Sequence, residues 1–356
     1  MNKDNQTYHQ QTYINHTLRL REMLRTLPPF AKDYFRAIEP HTSSKTRISY
    51  AYDIRVFFNF LLSENPAYRN KTMDDFTLED LDRLTALDIE EYMEYLKVYR
   101  QEENGRIVTN TEKGLSRKMS SLRSFYAYYF KKQMIKTNPT VMVEMPKLHE
   151  KAIIRLEPDE VASMLDLIEK GGDKLKGQAL AYYKKTKQRD LAIATLLLGT
   201  GLRVSECVGL DLGDVDFKNN SVKVVRKGGN EMIVYFGDEV EKALTDYIEG
   251  DRKKIEPLKG HENALFYSLQ RRRIGVQAIE NMIKKYAIQI APNKHITPHK
   301  LRSTYGTTLY KETGDIYLVA DVLGHKDVNT TRKHYAAIDE NRRRQAAGVV
   351  QLREKE

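Results

Sequence analysis

The dipeptide Asn138-Pro139 constrains this chain more than any other pair of neighbours in it. Proline has no backbone N–H to give a helix, and it disfavours helical geometry in the residue before it. Residues 141–156 follow, carrying Pro146 and several charges without an apolar period, and they read as an extended linker. Pro158-Asp159-Glu160 then starts a fresh helix, with proline in the first turn and acids where the helix dipole favours them. A chain of 356 residues is also too long for one ordinary core. We therefore expect two domains, residues 1–145 and 157–340, joined by a linker at 146–156 and followed by a tail at 341–356.

Before the break the apolar pattern is helical. The first 12 or so residues are polar and are expected to fray. A helical period begins near Tyr13 and stops at Pro28-Pro29, and a second helix covers residues 30–38. Ser43-Ser44 caps a long helix that reaches Leu62 and closes at Asn65-Pro66. Another helix is predicted over residues 88–100, with Asn104-Gly105 turning the chain into the next one. The first 137 residues thus read as all-helical.

The helix predicted over residues 111–132 has the clearest period of this half. Leu115, Met119, Leu122, Tyr126 and Tyr129 recur at spacings of four and three, which lines them along one buried stripe. Lys113, Arg117, Ser120, Ser121, Ser124, Tyr128 and Lys131 fall on the opposite face. From Glu112 to Lys136 seven basic residues stand against one acidic residue, so this face suits either phosphate contact or plain solvation.

After the linker, helices mix with one hairpin. Residues 171–189 are lysine-rich and read as an exposed helix or loop ahead of the apolar run 191–198. Residues 221–225 and 231–236 have strand character, and Lys227-Gly228-Gly229-Asn230 joins them. From Gln277 onward the pattern is helical, ending in a basic tail with Arg342, Arg343, Arg344 and Arg353. The expected fold class is mainly α with a small antiparallel β-sheet.

A net charge of +10 and a pI near 9.3 point to a polyanionic partner. No apolar run approaches the roughly 18 residues that a membrane span needs, and the polar start Met1-Asn2-Lys3-Asp4 predicts neither export nor a membrane role. The single cysteine, Cys207, forms no internal disulfide and reads as a packed core thiol, which fits a reducing cytoplasm.

Four short motifs carry the chemistry. Arg203 lies in Gly199-Thr200-Gly201-Leu202-Arg203-Val204-Ser205-Glu206; His299-Lys300-Leu301-Arg302, Leu323-Gly324-His325 and His334-Tyr335 follow in that order. Two arginines, imidazoles and a phenol are what a metal-free attack on a phosphodiester needs. A guanidinium stays charged and offers parallel donors to phosphate oxygens, imidazoles move protons, and the phenol is the nucleophile. On a helix starting at Thr297-Pro298, the spacing of three puts His299 and Arg302 on one face. The spacings of His299, His325 and His334 fit no common zinc pattern, and Lys227-Gly228-Gly229 lacks the spacing of a phosphate loop, so no metal and no cofactor are expected.

This ordered set resembles the tyrosine recombinases, the family of phage integrases and Xer proteins, over nearly the whole chain. The resemblance implies a helical core-binding domain at 1–145 and a mixed α+β catalytic domain at 157–340, closing as a C-shaped clamp on double-stranded DNA. It implies that Tyr335 attacks the scissile phosphate to leave a 3′-phosphotyrosyl bond, with Arg203 and Arg302 holding the phosphate and His299 acting as acid/base. His325 matches the position that supports the phosphate, and Lys227 matches the proton donor to the leaving 5′-oxygen, with Arg226 and Lys223 as nearby competitors.

By the same resemblance Lys45, Thr46, Arg47, Tyr50, Arg117, Lys118, Ser121 and Arg123 are expected to contact DNA. Arg271, Arg272, Arg273 and Gln277 join them, as the opening of a helix or as an exposed basic turn. A homotetramer on two duplexes is implied, with residues 346–352 docking on a neighbouring subunit or fraying. The single-protein Xer type is the most similar group, which implies resolution of chromosome dimers at a dif-like site with the DNA translocase FtsK as partner. A phage, plasmid or transposon integrase shares the same chemistry. A type IB topoisomerase needs no tetramer, and a DNA-binding module without catalysis would not need every catalytic position filled, as it is here.

Overall fold

The computed structural model describes residues 7–101, 105–147, 149, 153–226, 229–325 and 327–328. They divide into two compact units that meet in the chain between residues 151 and 152.

In the first unit, helix α1 spans Tyr8–Leu24, starting earlier than its apolar period because Thr7 and Gln10 cap each other's backbone. Helix α2 spans Ala31–Ala37 after the Pro28-Pro29 stop, and α3 spans Ser44–Ser63 with Ser43 Oγ accepting from the Thr46 N–H. Short α4 (Leu78–Arg83) and α5 (Ala86–Tyr95) follow, each begun by a threonine–aspartate capping box. Long α6 spans Glu112–Lys131. The core is aromatic: Tyr34, Phe57, Phe58, Phe125, Tyr126 and Tyr129 are fully buried and meet mostly edge to face.

Two expectations fail here. The helix predicted over residues 88–100 ends at Tyr95, and strand β1 (Val98–Arg100) pairs antiparallel with β2 (Ile107–Thr109). Gly105, with φ of +66°, turns this two-stranded ribbon instead of linking two helices. On α6 the predicted stripe is buried, yet Lys118, Ser121 and Phe125 are buried beside it. The buried face is wider than one stripe because α6 packs under both α2 and α3.

The second unit is built around helix α8 (Gly177–Thr200), which packs against α7 (Pro158–Lys170), α10 (Asp238–Glu249) and α12 (Pro298–Thr313). Ala192, Ile193, Ala194, Leu196 and Leu197 of α8 are all inaccessible, so this C-terminal part of the helix is buried around its whole girth. The lysine-rich stretch divides between a short 3-10 turn at Gly171–Lys174 and the first turns of this same helix, where most of its lysines are exposed. Helix α9 (Val204–Gly209) leads into a three-stranded antiparallel sheet of β3 (Val215–Asp216), β4 (Ser221–Val225) and β5 (Glu231–Tyr235), in the order β3-β4-β5. Val222 faces Val234 across the β4–β5 hairpin. Helix α11 spans Val276–Ile290, and short α13 spans Ile316–Leu323. Among the described residues no helix is long and apolar enough to cross a membrane.

Candidate active site

Helix α8 ends at Gly201, whose φ of +65° reverses the chain. A Cβ there would strike the Tyr305 ring and Leu323, so glycine is required by both conformation and space. Two residues later Arg203 occupies the N-cap of α9. Buried Glu206 fixes it twice, accepting from its backbone N–H at 2.9 Å and from its Nη1 at 2.7 Å. The guanidinium is thus aimed by a carboxylate from its own helix.

Arg302 arrives from α12, which Thr297 and Pro298 initiate. His299 sits exposed in the first turn of that helix, and Arg302 is buried one turn further in. Its Nη1 donates to the Gly201 carbonyl at 2.6 Å and its Nη2 donates to the carbonyl of Leu323.

Helix α13 closes with the two backbone bonds of a Schellman motif: Gly324 N–H to the Asp321 carbonyl at 2.8 Å, and His325 N–H to the Ala320 carbonyl at 2.9 Å. Gly324 adopts φ of +61°, and His325 follows it, partly buried. The three carbonyls left over at this helix end each receive a different guanidinium. Arg226 Nη2 donates to Val322 at 2.8 Å, Arg302 to Leu323, and Arg203 Nη2 to Gly324 at 3.5 Å. Carbonyls without partners and the negative end of a helix dipole are what a cluster of cations complements.

Arg203, Arg302 and His325, drawn from three separated motifs, therefore meet at one turn, and His299 lies on the helix that delivers Arg302. Lys227, His334, Tyr335 and residues 346–352 lie outside the described residues. Glu206 closes the first motif without a role assigned to it, and Arg226 enters the sequence reading only as a competitor of Lys227 for the proton donor. Glu206 is detectable as the acid three residues after a helix start; for Arg226 the sequence gives its charge and its place beside the hairpin tip, but not its contact with α13. Burial is the main cause holding the Arg226 guanidinium's pKa below its usual value; Glu206 opposes this and Arg203 adds to it. Cys207, next to Glu206, is fully buried, which pushes its thiol up to about 12 and leaves it inert.

The residues expected to contact DNA divide sharply. Lys45, Arg117, Arg271, Arg272 and Gln277 are exposed, and Thr46 and Tyr50 are half-buried. Five others are committed to the protein itself, a correction to the expected surface. Arg47 is buried and pairs with Glu39 at 3.2 Å. Lys118 is buried on Asp53 at 3.2 Å, where burial lowers its pKa and Asp53 opposes that, while Ser121 Oγ donates to the Lys118 carbonyl. Arg123 holds the Thr140 carbonyl at 3.1 Å and the Val143 carbonyl at 2.5 Å, fastening α6 to the segment after the Asn138-Pro139 break. Arg273 grips the Val208 and Leu210 carbonyls and Asp211. Apart from Ser121, each is a cation whose long stem is near enough to backbone oxygens or carboxylates to satisfy them. Residues 271–273 also form a turn, with Ser268 N–H donating to the Arg272 carbonyl at 2.7 Å, and do not open α11.

A model of the phage integrase family matches residues 154–342. The tyrosine recombinase XerC of Caldanaerobacter subterraneus subspecies tengcongensis is 32% identical over 334 residues, covering 90% of this chain and 86% of the relative. The tyrosine recombinase XerS of Lactococcus lactis subspecies cremoris is 29% identical over 355 residues, covering 91% and 96% respectively. Among solved structures, XerH bound to a palindromic difH substrate in a post-cleavage complex has a similar fold, with TM-score 0.65 and 16% identity over 98% of this chain and 91% of that one. The integrase of transposon Tn1549 with circular-intermediate DNA gives TM-score 0.61 and 21% identity over 85% and 93%.

Proposed function

Because the chain belongs to the phage integrase family of tyrosine recombinases, we propose that it is a site-specific DNA recombinase whose nucleophile is Tyr335. The single observation that carries this reading is the convergence of Arg203, Arg302 and His325 on one turn. Two guanidiniums brought side by side from elements about a hundred residues apart suit a phosphate whose non-bridging oxygens gain charge during attack.

In the proposed reaction the Tyr335 phenolic oxygen attacks the scissile phosphorus and its proton passes to His299. The bond from phosphorus to the 5′-oxygen breaks, and Lys227 gives that oxygen a proton. The product is a 3′-phosphotyrosyl ester and a free 5′-hydroxyl. A 5′-hydroxyl of the partner duplex reverses the step, so the energy of the phosphodiester is conserved. His325 supports the phosphate.

At the finer level, we read the chain as resolving chromosome dimers at a dif-like site in the cytoplasm, as a homotetramer on two duplexes with FtsK as partner. The likeness to an XerS recombinase over almost the full length of both chains supports this. An integrase of a mobile element is the second reading, supported by the likeness to the Tn1549 fold. On either reading the exposed side chains Lys45, Arg271, Arg272 and Gln277, with Arg117, which is exposed but also pairs with Asp53, and half-buried Thr46 and Tyr50, are the DNA contacts.

The test is a nicked duplex whose 5′ fragment diffuses away after cutting. Wild type should accumulate on the 3′ phosphate, and Tyr335→Phe should bind the same DNA without forming the adduct. An adduct with the Phe variant would reassign the nucleophile. Sequencing of genomic fragments trapped by the wild type separates a single chromosomal site from the ends of a mobile element.

A further inference from the structure

We propose that Arg226 is a positioning residue for the phosphate-binding pair: it fixes the turn on which Arg203, Arg302 and His325 rest. This rests on the recombinase reading above and adds a part that none of the four motifs contains. Arg226 stands at the end of β4, and its guanidinium crosses to the end of α13 to hold the Val322 carbonyl at 2.8 Å. The next two carbonyls belong to Arg302 and Arg203. Three guanidiniums on three successive carbonyls make the turn a shared abutment, so releasing one lets the other two shift.

Two further observations support a constraint at this contact. Gly324 leaves no room for a side chain: a Cβ on it would overlap Arg226 Nη1, so the turn and the guanidinium are shaped to each other. Arg226 also keeps its buried Nε without a hydrogen-bond partner among the described residues. An unsatisfied buried donor is unfavourable for stability, and its retention fits a geometric duty.

Arg226→Ala and Arg226→Lys would be assayed on the nicked duplex at saturating protein, beside wild type, with binding and thermal melting measured in parallel. Because a misplacement of about 1 Å can cost about a hundredfold in rate, adduct formation should fall by roughly that factor with binding unchanged. The discriminating substrate carries a methylphosphonate at the scissile position, where a methyl replaces one charged non-bridging oxygen. A defect in presenting the arginine pair should shrink to less than about tenfold there, since less charge has to be met. A loosened fold would slow both substrates alike.

Gly324→Ala supplies a second measure. It should slow the wild-type background more than the Arg226→Ala background, because the overlap exists only when Arg226 is present, while the backbone strain is common to both. Unchanged cleavage, equal losses on the two substrates, or additive effects of the two substitutions would overturn the role of Arg226. Failure of the wild type to form any adduct would overturn the recombinase reading itself, and this proposal with it.

Discussion

Arg302 Nη1 donates to the Gly201 carbonyl at 2.6 Å, joining α12 to the turn that ends α8. The same side chain reaches Leu323 through Nη2. One buried guanidinium thus ties the neighbouring helices α12 and α13 to a turn about a hundred residues earlier in the chain.

Arg302→Lys should therefore damage both catalysis and structure. A lysine keeps the charge but loses the planar fork. Adduct formation on the nicked duplex should fall about 10²–10³-fold. Unfolding free energy should drop by about 1–3 kcal/mol as buried carbonyls lose their donor. Single-turnover trapping and chemical denaturation measure the two losses; a variant as stable and as active as wild type would remove Arg302 from the site.

Gly201→Ala tests the turn from its other side. Its φ of +65° strains any residue with a Cβ, and that Cβ would meet Tyr305 and Leu323. We expect a cost of about 3 kcal/mol from strain and overpacking together. Melting of the full chain by circular dichroism should show it as an early transition.

Asp53→Asn addresses the buried charges of the helical unit. The Asp53 side chain is wholly inaccessible and accepts from Arg117 and Lys118. Removing its charge leaves the Lys118 ammonium buried without its counterion, and breaking such a pair costs about 3–5 kcal/mol. Asp53→Asn with Lys118→Met should recover most of that loss in urea titrations. Equal instability of the single and double variants would place the cost in packing instead.

Acid sensitivity should trace in part to Asp80. Burial pushes its carboxyl up, but the Lys71 ammonium at 2.7 Å and the Thr77 N–H at 2.8 Å outweigh this and hold it below its ordinary 3.8. A depressed folded-state value gives stability that is present above the unfolded value and lost as pH falls through the folded one. Asp80→Asn should thus be less stable than wild type near neutrality, with the gap closing below 3.8. Urea midpoints measured across that range check the sign.

Most of the helical framework was legible because its signals are local. Ser43, Thr297-Pro298 and Asn138-Pro139 act within a turn of where they sit, and the Leu115–Tyr129 stripe reports its own burial. The β1–β2 ribbon was not legible. Tyr92, Leu96 and Tyr99 are all buried at spacings a helix would also produce, and the competing partner strand lies beyond the turn at Gly105. The meeting of Arg203 and Arg302 is legible from their motifs, whereas the protein partners of Lys118, Arg123 and Arg273 are not, for one reason. A basic residue in sequence carries no mark of whether its charge meets solvent, a carboxylate or a backbone oxygen, and that depends on segments packed from elsewhere.

The end of α13 also sets a rule for chain length. Successive carbonyls on a helix point about 100° apart, so one inserted or deleted residue in α13 would present each of Arg226, Arg302 and Arg203 with its neighbour's acceptor. Substitutions there are a matter of degree, but a change of register would mismatch all three at once. The span from Arg302 to His325 is consequently a ruler, tolerant of many side chains and intolerant of a single added link.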